Sequence, residues 1–181
     1  MPSTVILGTA RTPFGKMGGT LSSLDATDLG GQAISAALER SGVDPEQVDQ
    51  VVFGQVLQAG QGQIPSRQAQ IKGGIPKEVP SETINKVCAS GMRSVGLADL
   101  AIRAGDTDVA VTGGMESMSQ APHLLPGARF GYRMGHVETI DAMVGELRHR
   151  RDAALELLRR AGLRVIDPLG AFYLYIHIGS A

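Results

Sequence analysis

Asn85-Lys86-Val87-Cys88-Ala89-Ser90-Gly91-Met92 is the stretch whose reading decides this chain, and it holds the only cysteine. Just before it, Ser81-Glu82-Thr83-Ile84 has the β-branched character of a short, half-buried strand. Just after it, residues 90–104 read as a helix, with Val95, Leu97, Ala98, Ala101 and Ile102 as its apolar face and Gly105 as a left-handed stop. Cys88 is thereby predicted at a strand-to-helix turn, at the positive end of a helix macrodipole. A thiolate, the nucleophilic form of cysteine, is favoured there. The small residues Ala89, Ser90 and Gly91 leave room for a carbonyl to approach the sulfur, the logic of a nucleophile elbow. A lone cysteine is equally at home as a small buried residue, and the turn alone leaves both roles open.

The rest of the composition narrows the class. A chain of 181 residues can bury the core of one domain or a little more. With 43% hydrophobic and 19% charged residues it has an ordinary globular composition. A net charge of -1 gives no electrostatic case for nucleic acid or an anionic membrane surface. One cysteine excludes an internal disulfide and a thiolate zinc cluster, and no metal site is expected. There is no charged-then-apolar leader and no apolar run near the roughly 18 residues of a membrane-spanning helix, so a cytoplasmic location is expected.

Working outward from the cysteine, residues 4–10 (TVILGTA) read as a first buried strand. The Gly18-Gly19 loop that follows lacks the spacing of a phosphate-binding loop and reads as a turn. Asp25 or Thr27 caps a helix running to about Ser41, with Leu29, Ala33, Ile34, Ala37 and Leu38 as its buried stripe and Gly42 as its stop. Residues 50–57 read as a second strand, Pro65–Lys72 as a short helix, and residues 108–112 as a fourth strand after the one preceding Cys88. The order β-α-β-α-β-α-β argues a layered α/β sheet, in which ligands gather at the carboxyl ends of strands. Cys88 and Gly113-Gly114 both fall at such ends.

Five segments in order resemble thiolases such as acetyl-CoA acetyltransferases. They are Thr9-Ala10-Arg11-Thr12-Pro13-Phe14-Gly15, the run from Gly54 to Gln63 continuing through Arg67-Gln68-Ala69, the Cys88 stretch, Gly113-Gly114-Met115-Glu116-Ser117-Met118-Ser119, and the run from Gly127 to Gly135. β-Ketoacyl synthases share the fold and the cysteine, but the Gly-Gly-Met-Glu-Ser-Met-Ser wording is that of thiolases. The resemblance implies that Cys88 attacks an acyl-CoA thioester and holds the acyl group covalently until a second acyl-CoA takes it. Coenzyme A enters as a substrate, so no bound cofactor is implied. Homo-oligomerisation through the same half is also implied.

The resemblance covers residues 1 to about 143. A complete thiolase carries, in its second half, a histidine that activates the nucleophile, a second cysteine that takes the α-proton, and an asparagine that positions an oxyanion-binding water. None of the corresponding runs occurs in this sequence. His123 and His136 sit in loop-domain wording, His149 on a charged helix and His177 in a tail strand. From Val144 the wording changes to a charged helix over residues 144–163, with Leu147, Leu155, Leu158 and Ala161 on one side, and a strand over residues 170–178. Six arginines against four acids in residues 144–181 suit a solvated helix face. This unit resembles a piece of the small domain of pyridoxal-phosphate aminotransferases, but the family's Schiff-base lysine does not belong to such a segment and no cofactor is carried over.

The sequence therefore predicts an incomplete thiolase-like α/β half, with a four-strand sheet core and flanking helices, plus a C-terminal helix-strand unit. The divisions are 1–120 for the α/β domain, 121–143 for the start of a loop domain, and 144–181 for a tail of other origin. The edge strand over 108–112 would lack a neighbour, and apolar helix faces would lack a covering layer. The tail strand near Phe172 or dimerisation is expected to cover them. Three functions follow: acyl transfer through Cys88, a non-catalytic dimerisation module, and a cysteine hydrolase using His123 or His136.

Overall fold

The computed structural model describes residues 3–132 and 134–161; for residues 143–151 it describes the backbone alone. It divides into two compact units, Met1–Ala121 and Pro122–Ala181. In the first, α1 (Ala26–Ser41), β1 (Gln50–Gly54), α2 (Pro65–Lys72), β2 (Ser81–Ile84), α3 (Ser90–Ala104) and β3 (Ala110–Gly114) alternate. The three strands form one parallel sheet in the order β2-β1-β3. Parallel neighbours require crossover helices, and α2 and α3 are those crossovers.

The α/β class holds, but among the described residues the sheet has three strands and not four. Residues 4–10 form no strand. Val5, Ile6 and Leu7 are 68%, 74% and 60% exposed. The segment is tied only at points: Thr4 Oγ1 donates to Asp99 Oδ1 at 2.7 Å, and Arg40 Nη1 donates to the Thr9 carbonyl at 3.0 Å. Strand identity needs a partner with free N–H and C=O groups in register, and an apolar run alone cannot supply one. Among the described residues, β3 pairs on one side only, with β1.

Helices cover both faces of β1. Val51 and Phe53 join the core with Ala26, Ile34 and Leu38 of α1 and Ala69 of α2. The alternate residue Gly54 faces α3, where a Cβ on it would lie 2.5 Å from the Ser90 Cβ. The α1–α2 contact is equally close, since a Cβ on Gly31 would meet the Lys72 Cβ at 2.6 Å. This rotates the buried stripe of α1 to Ala26, Thr27, Gly30, Gly31, Ile34 and Leu38, leaving Leu29, Ala33 and Ala37 half-buried. α1 starts at Asp25, whose N–H donates to Asp28 Oδ2 at 3.2 Å, and stops at Gly42 in the left-handed conformation.

α3 keeps Ala98 of its predicted face buried and Leu97, Ala101 and Ile102 half-buried, but Ser90 and Ser94 are buried too, whereas Val95 is 47% exposed. Small residues win because the helix lies against glycine-bearing strands. Ser94 Oγ reaches the Gly113 carbonyl at 3.0 Å, which a larger side chain would prevent.

In the second unit, β4 (His123–Leu124) pairs antiparallel with β5 (Ile140–Asp141), and α4 (Ala142–Arg160) follows. The sequence boundary at 143/144 thus falls inside the first turn of one helix. The predicted strand over 170–178, with Phe172 and His177, lies outside the described residues. Among the described residues, no helix is long and apolar enough to cross a membrane.

Candidate active site

The carboxyl ends of all three parallel strands bring the sequence motifs together. Gly54 stands in register with Ile84 on one side and Gly114 on the other. The residues that follow each strand, Gln55-Val56-Leu57, Asn85-Lys86-Val87-Cys88 and Met115-Glu116, therefore leave the sheet side by side. This is where an open α/β sheet presents its ligand crevice.

Cys88 is exposed and free, two residues before the first residue of α3. Its turn is closed by side chains as well as backbone. Asn85 Oδ1 accepts the Val87 N–H at 2.9 Å. Ser90 Oγ accepts the Lys86 N–H at 2.8 Å and donates to the Val87 carbonyl at 2.6 Å. The backbone adds Ala89 N–H to Lys86 O at 3.2 Å and Ser90 N–H to Val87 O at 3.0 Å. Val87 sits at φ 51°, a left-handed conformation that is an outlier for a β-branched residue.

Behind the turn lies Glu116. Its Oε2 accepts the Val56 N–H at 2.9 Å, and Oε1 accepts the Leu57 N–H at 3.3 Å. Burial pushes its carboxyl above the ordinary value, against the two backbone N–H groups that pull it down. The clasp also explains why β1 ends at Gly54 and not at Leu57: the N–H groups that would extend the ladder are taken by a side chain. Gln55 is buried at 1% exposure, with Nε2 donating to the Leu57 carbonyl at 3.1 Å and Oε1 without a protein partner. Asn85 Nδ2 donates to the Val56 carbonyl at 3.3 Å and so joins the Cys88 turn to this segment.

Sequence reasoning singled out Cys88 but gave no role to Glu116 or Asn85. Glu116 carried a signal, being the only acid between Asp108 and Glu138 and falling two residues after the end of β3. The histidines lie in the other unit. His123 is on β4, with Nε2 3.9 Å from Asp141 Oδ2, and His136 is in an exposed loop. The side chain of His149 lies outside the described residues. Among the described residues, no group of three or more His, Cys, Asp or Glu could hold a metal ion. A surface groove of about 520 Å³ beside α1, bordered by Asp28, Gln32, Glu39 and Lys72, includes no residue of the cysteine turn.

The sheet, the glycine-lined helix start and the exposed thiol define an α/β protein with a cysteine at a strand-to-helix turn. Residues 4–155 match the family model for the thiolase N-terminal domain, and the chain belongs to the thiolase family. It is 56% identical over 144 residues to an acetyl-CoA acetyltransferase of Cupriavidus necator, covering 80% of this chain and 37% of that protein. It is 49% identical over 144 residues to an acetyl-CoA acetyltransferase of Pseudomonas aeruginosa, again 80% of this chain and 37% of the relative. The solved structure of an acetyl-CoA acetyltransferase from Syntrophomonas wolfei superposes with a TM-score of 0.73 at 46% identity, over 77% of this chain and 35% of that one. The chain thus spans little more than a third of the length of the curated relatives it matches.

Proposed function

We propose that this chain carries the nucleophile of an acyl transfer between coenzyme A thioesters, with Cys88 as the catalytic residue. The observation that carries the reading is the exposed thiol at the start of α3 in a thiolase-family chain whose relatives are named acetyl-CoA acetyltransferases. The Cys88 thiolate adds to the thioester carbonyl carbon, forming a C–S bond. The tetrahedral adduct collapses by breaking the bond to the coenzyme A sulfur, which leaves as a thiolate and takes up a proton. Cys88 then holds the acyl group as a thioester until a second acyl-CoA, deprotonated at its α-carbon, displaces it as a 3-ketoacyl-CoA. Splitting the transfer in this way replaces one hard step by two easier ones.

This chain's own residues supply the nucleophile of the first half-reaction. The resemblance assigns activation of that nucleophile to a histidine, removal of the α-proton to a second cysteine and an oxyanion-binding water to an asparagine, all in runs this sequence does not contain, so turnover by the chain alone is expected to be weak. Incubation with acetyl-CoA followed by intact mass spectrometry tests the reading. A single added acetyl group, absent in Cys88→Ser, supports it; an unmodified wild type overturns it.

The exposed apolar residues favour a second reading, a non-catalytic module that associates through its thiolase-like half. Val5, Ile6 and Leu7, with Met92, Val95 and Leu100 of α3, present apolar surface to solvent. That reading also underlies the homo-oligomer we propose. Acetylation at Cys88 separates the two.

A further inference from the structure

We propose that Asn85 is a positioning residue for the Cys88 thiol, tying the turn that carries the cysteine to the Val56 carbonyl just beyond the end of β1. The inference rests on the acyl-transfer reading and adds to it the residue that fixes where the nucleophile stands.

The geometry begins with Val87. A left-handed conformation is disfavoured for an L-residue, and β-branching makes it less favourable still. Such a conformation persists only where its surroundings over-determine it. Two side chains do so here, Ser90 and Asn85. Ser90 is buried at 4% exposure and is pressed against Gly54, so it is part of the packing that seats α3 on the sheet. Asn85 is exposed, and what it contributes is directional. Its Oδ1 takes the Val87 N–H at 2.9 Å while its Nδ2 reaches the Val56 carbonyl at 3.3 Å. One amide orientation serves both bonds.

The Val56–Leu57 peptide is itself fixed from the other side, because Glu116 Oε1 accepts the Leu57 N–H at 3.3 Å, and Oε2 accepts the preceding Val56 N–H at 2.9 Å. A continuous path therefore runs from Glu116 through the Val56–Leu57 peptide and Asn85 to Val87, the residue bonded to Cys88. It links the ends of β3, β1 and β2, and it gives three separate sequence motifs one shared task. A bond to Val87 alone would make Asn85 an ordinary local turn-former. The second bond, to a different strand, is what turns the residue into a fixture for the thiol.

The single cysteine makes the test direct. Alkylation of Cys88 by iodoacetamide is followed by intact mass for the native chain, for the chain in urea, and for Asn85→Ala and Asn85→Asp. The native wild-type rate is expected to differ from the unfolded rate, and Asn85→Ala to move it at least about threefold toward the unfolded value. Asn85→Asp keeps the acceptor for Val87 and loses the donor to Val56, so it is expected to fall between. Acetylation by acetyl-CoA is expected to slow by about tenfold in Asn85→Ala, since small misplacement of a nucleophile is costly. Melting temperatures of the exposed-site variants are expected to stay close to wild type. Should the alanine variant not fold, Asn85→Asp and Asn85→Ser carry the same comparison.

Equal alkylation rates in wild type and Asn85→Ala overturn the inference, as does a native wild-type rate equal to the unfolded one. A wild-type rate in Asn85→Asp overturns the tie to Val56. A wild type that shows the alkylation pattern but is never acetylated removes the acyl-transfer reading and leaves Asn85 as the residue that places the thiol.

Discussion

Glu116 Oε2 lies 2.9 Å from the backbone nitrogen of Val56, a bond between a half-buried carboxylate and the first peptide to leave the sheet beyond Gln55. Burial raises the carboxyl above its ordinary value, so the proton is held more tightly in the folded chain than in the unfolded one. The ionised form at neutral pH costs stability at this group, and that cost is relieved as pH falls through the folded value. Replacing Glu116 by Gln removes the titration. The unfolding free energy of wild type minus that of Glu116→Gln is therefore expected to increase from pH 7 to pH 5 in urea titrations, by less than the limit of about 1.4 kcal/mol per pH unit for one proton. Glu116→Ala is expected to cost on the order of 1–3 kcal/mol at either pH, because it strips the acceptor from two N–H groups.

The ion pair between Lys72 Nζ and Asp28 Oδ1 behaves in the opposite sense. Lys72 also donates to Thr27 Oγ1 at 2.8 Å, so the contact joins the end of α2 to the start of α1. The hydrogen bond from Lys72 holds the Asp28 carboxyl below its ordinary value. Its contribution is present above the unfolded carboxylate pKa and lost as pH falls through the folded one. Both side chains are more than a third exposed, which limits the pair to about 0.2–1 kcal/mol. Lys72→Met is expected to cost that much at pH 7, with the cost fading below about pH 4. A loss that stays constant with pH would assign the effect to packing of the lysine stem instead.

Element positions were legible wherever the signal is local. Pro65–Lys72, Ser81–Ile84 and Ser90–Ala104 stand where proline, β-branched residues and Gly105 place them. What could not be read depends on partners distant in sequence. Residues 4–10 have the composition of a strand and no ladder to join. Val95 reads as core, yet Ser94, which the apolar pattern does not mark, is the residue buried there, since only a small side chain fits beside Gly113. Cys88 stood out because it is the only cysteine; Asn85 and Glu116 did not, because their roles consist of bonds to a peptide some 30 and 60 residues away.

The exposed run at Val5, Ile6 and Leu7 is apolar surface of the kind that mediates association, and the homo-oligomer we propose rests on it. A reversible oligomer gains stability with concentration by mass action. The melting temperature is expected to rise over a hundredfold concentration series, with sedimentation showing species larger than a monomer. Ile6→Lys, on a residue 74% exposed, is expected to shift the distribution toward monomer with little cost to the fold. A sharp, concentration-independent transition in a monomeric wild type would refute this.

Two glycines are expected to respond to alanine with opposite signs. Gly96 lies inside α3, and a Cβ there meets nothing within 4 Å. Gly96→Ala is expected to stabilise the chain by about 0.5–1 kcal/mol through helix propensity alone. Gly54 ends β1, and a Cβ there would lie 2.5 Å from the Ser90 Cβ and 2.6 Å from its carbonyl carbon. The second of these atoms is backbone and cannot swing aside, so the start of α3 must move. Gly54→Ala is expected to cost about 1–3 kcal/mol, the usual range for overpacking. Because Ser90 closes the turn at Lys86 and Val87, the same shift is expected to alter the alkylation rate of Cys88, whereas Gly96→Ala leaves it unchanged. Urea melts and intact-mass kinetics on the two variants read both effects. If Gly54→Ala is neutral in both, the first turn of α3 is not pressed against β1 and the seating of the cysteine must come from elsewhere.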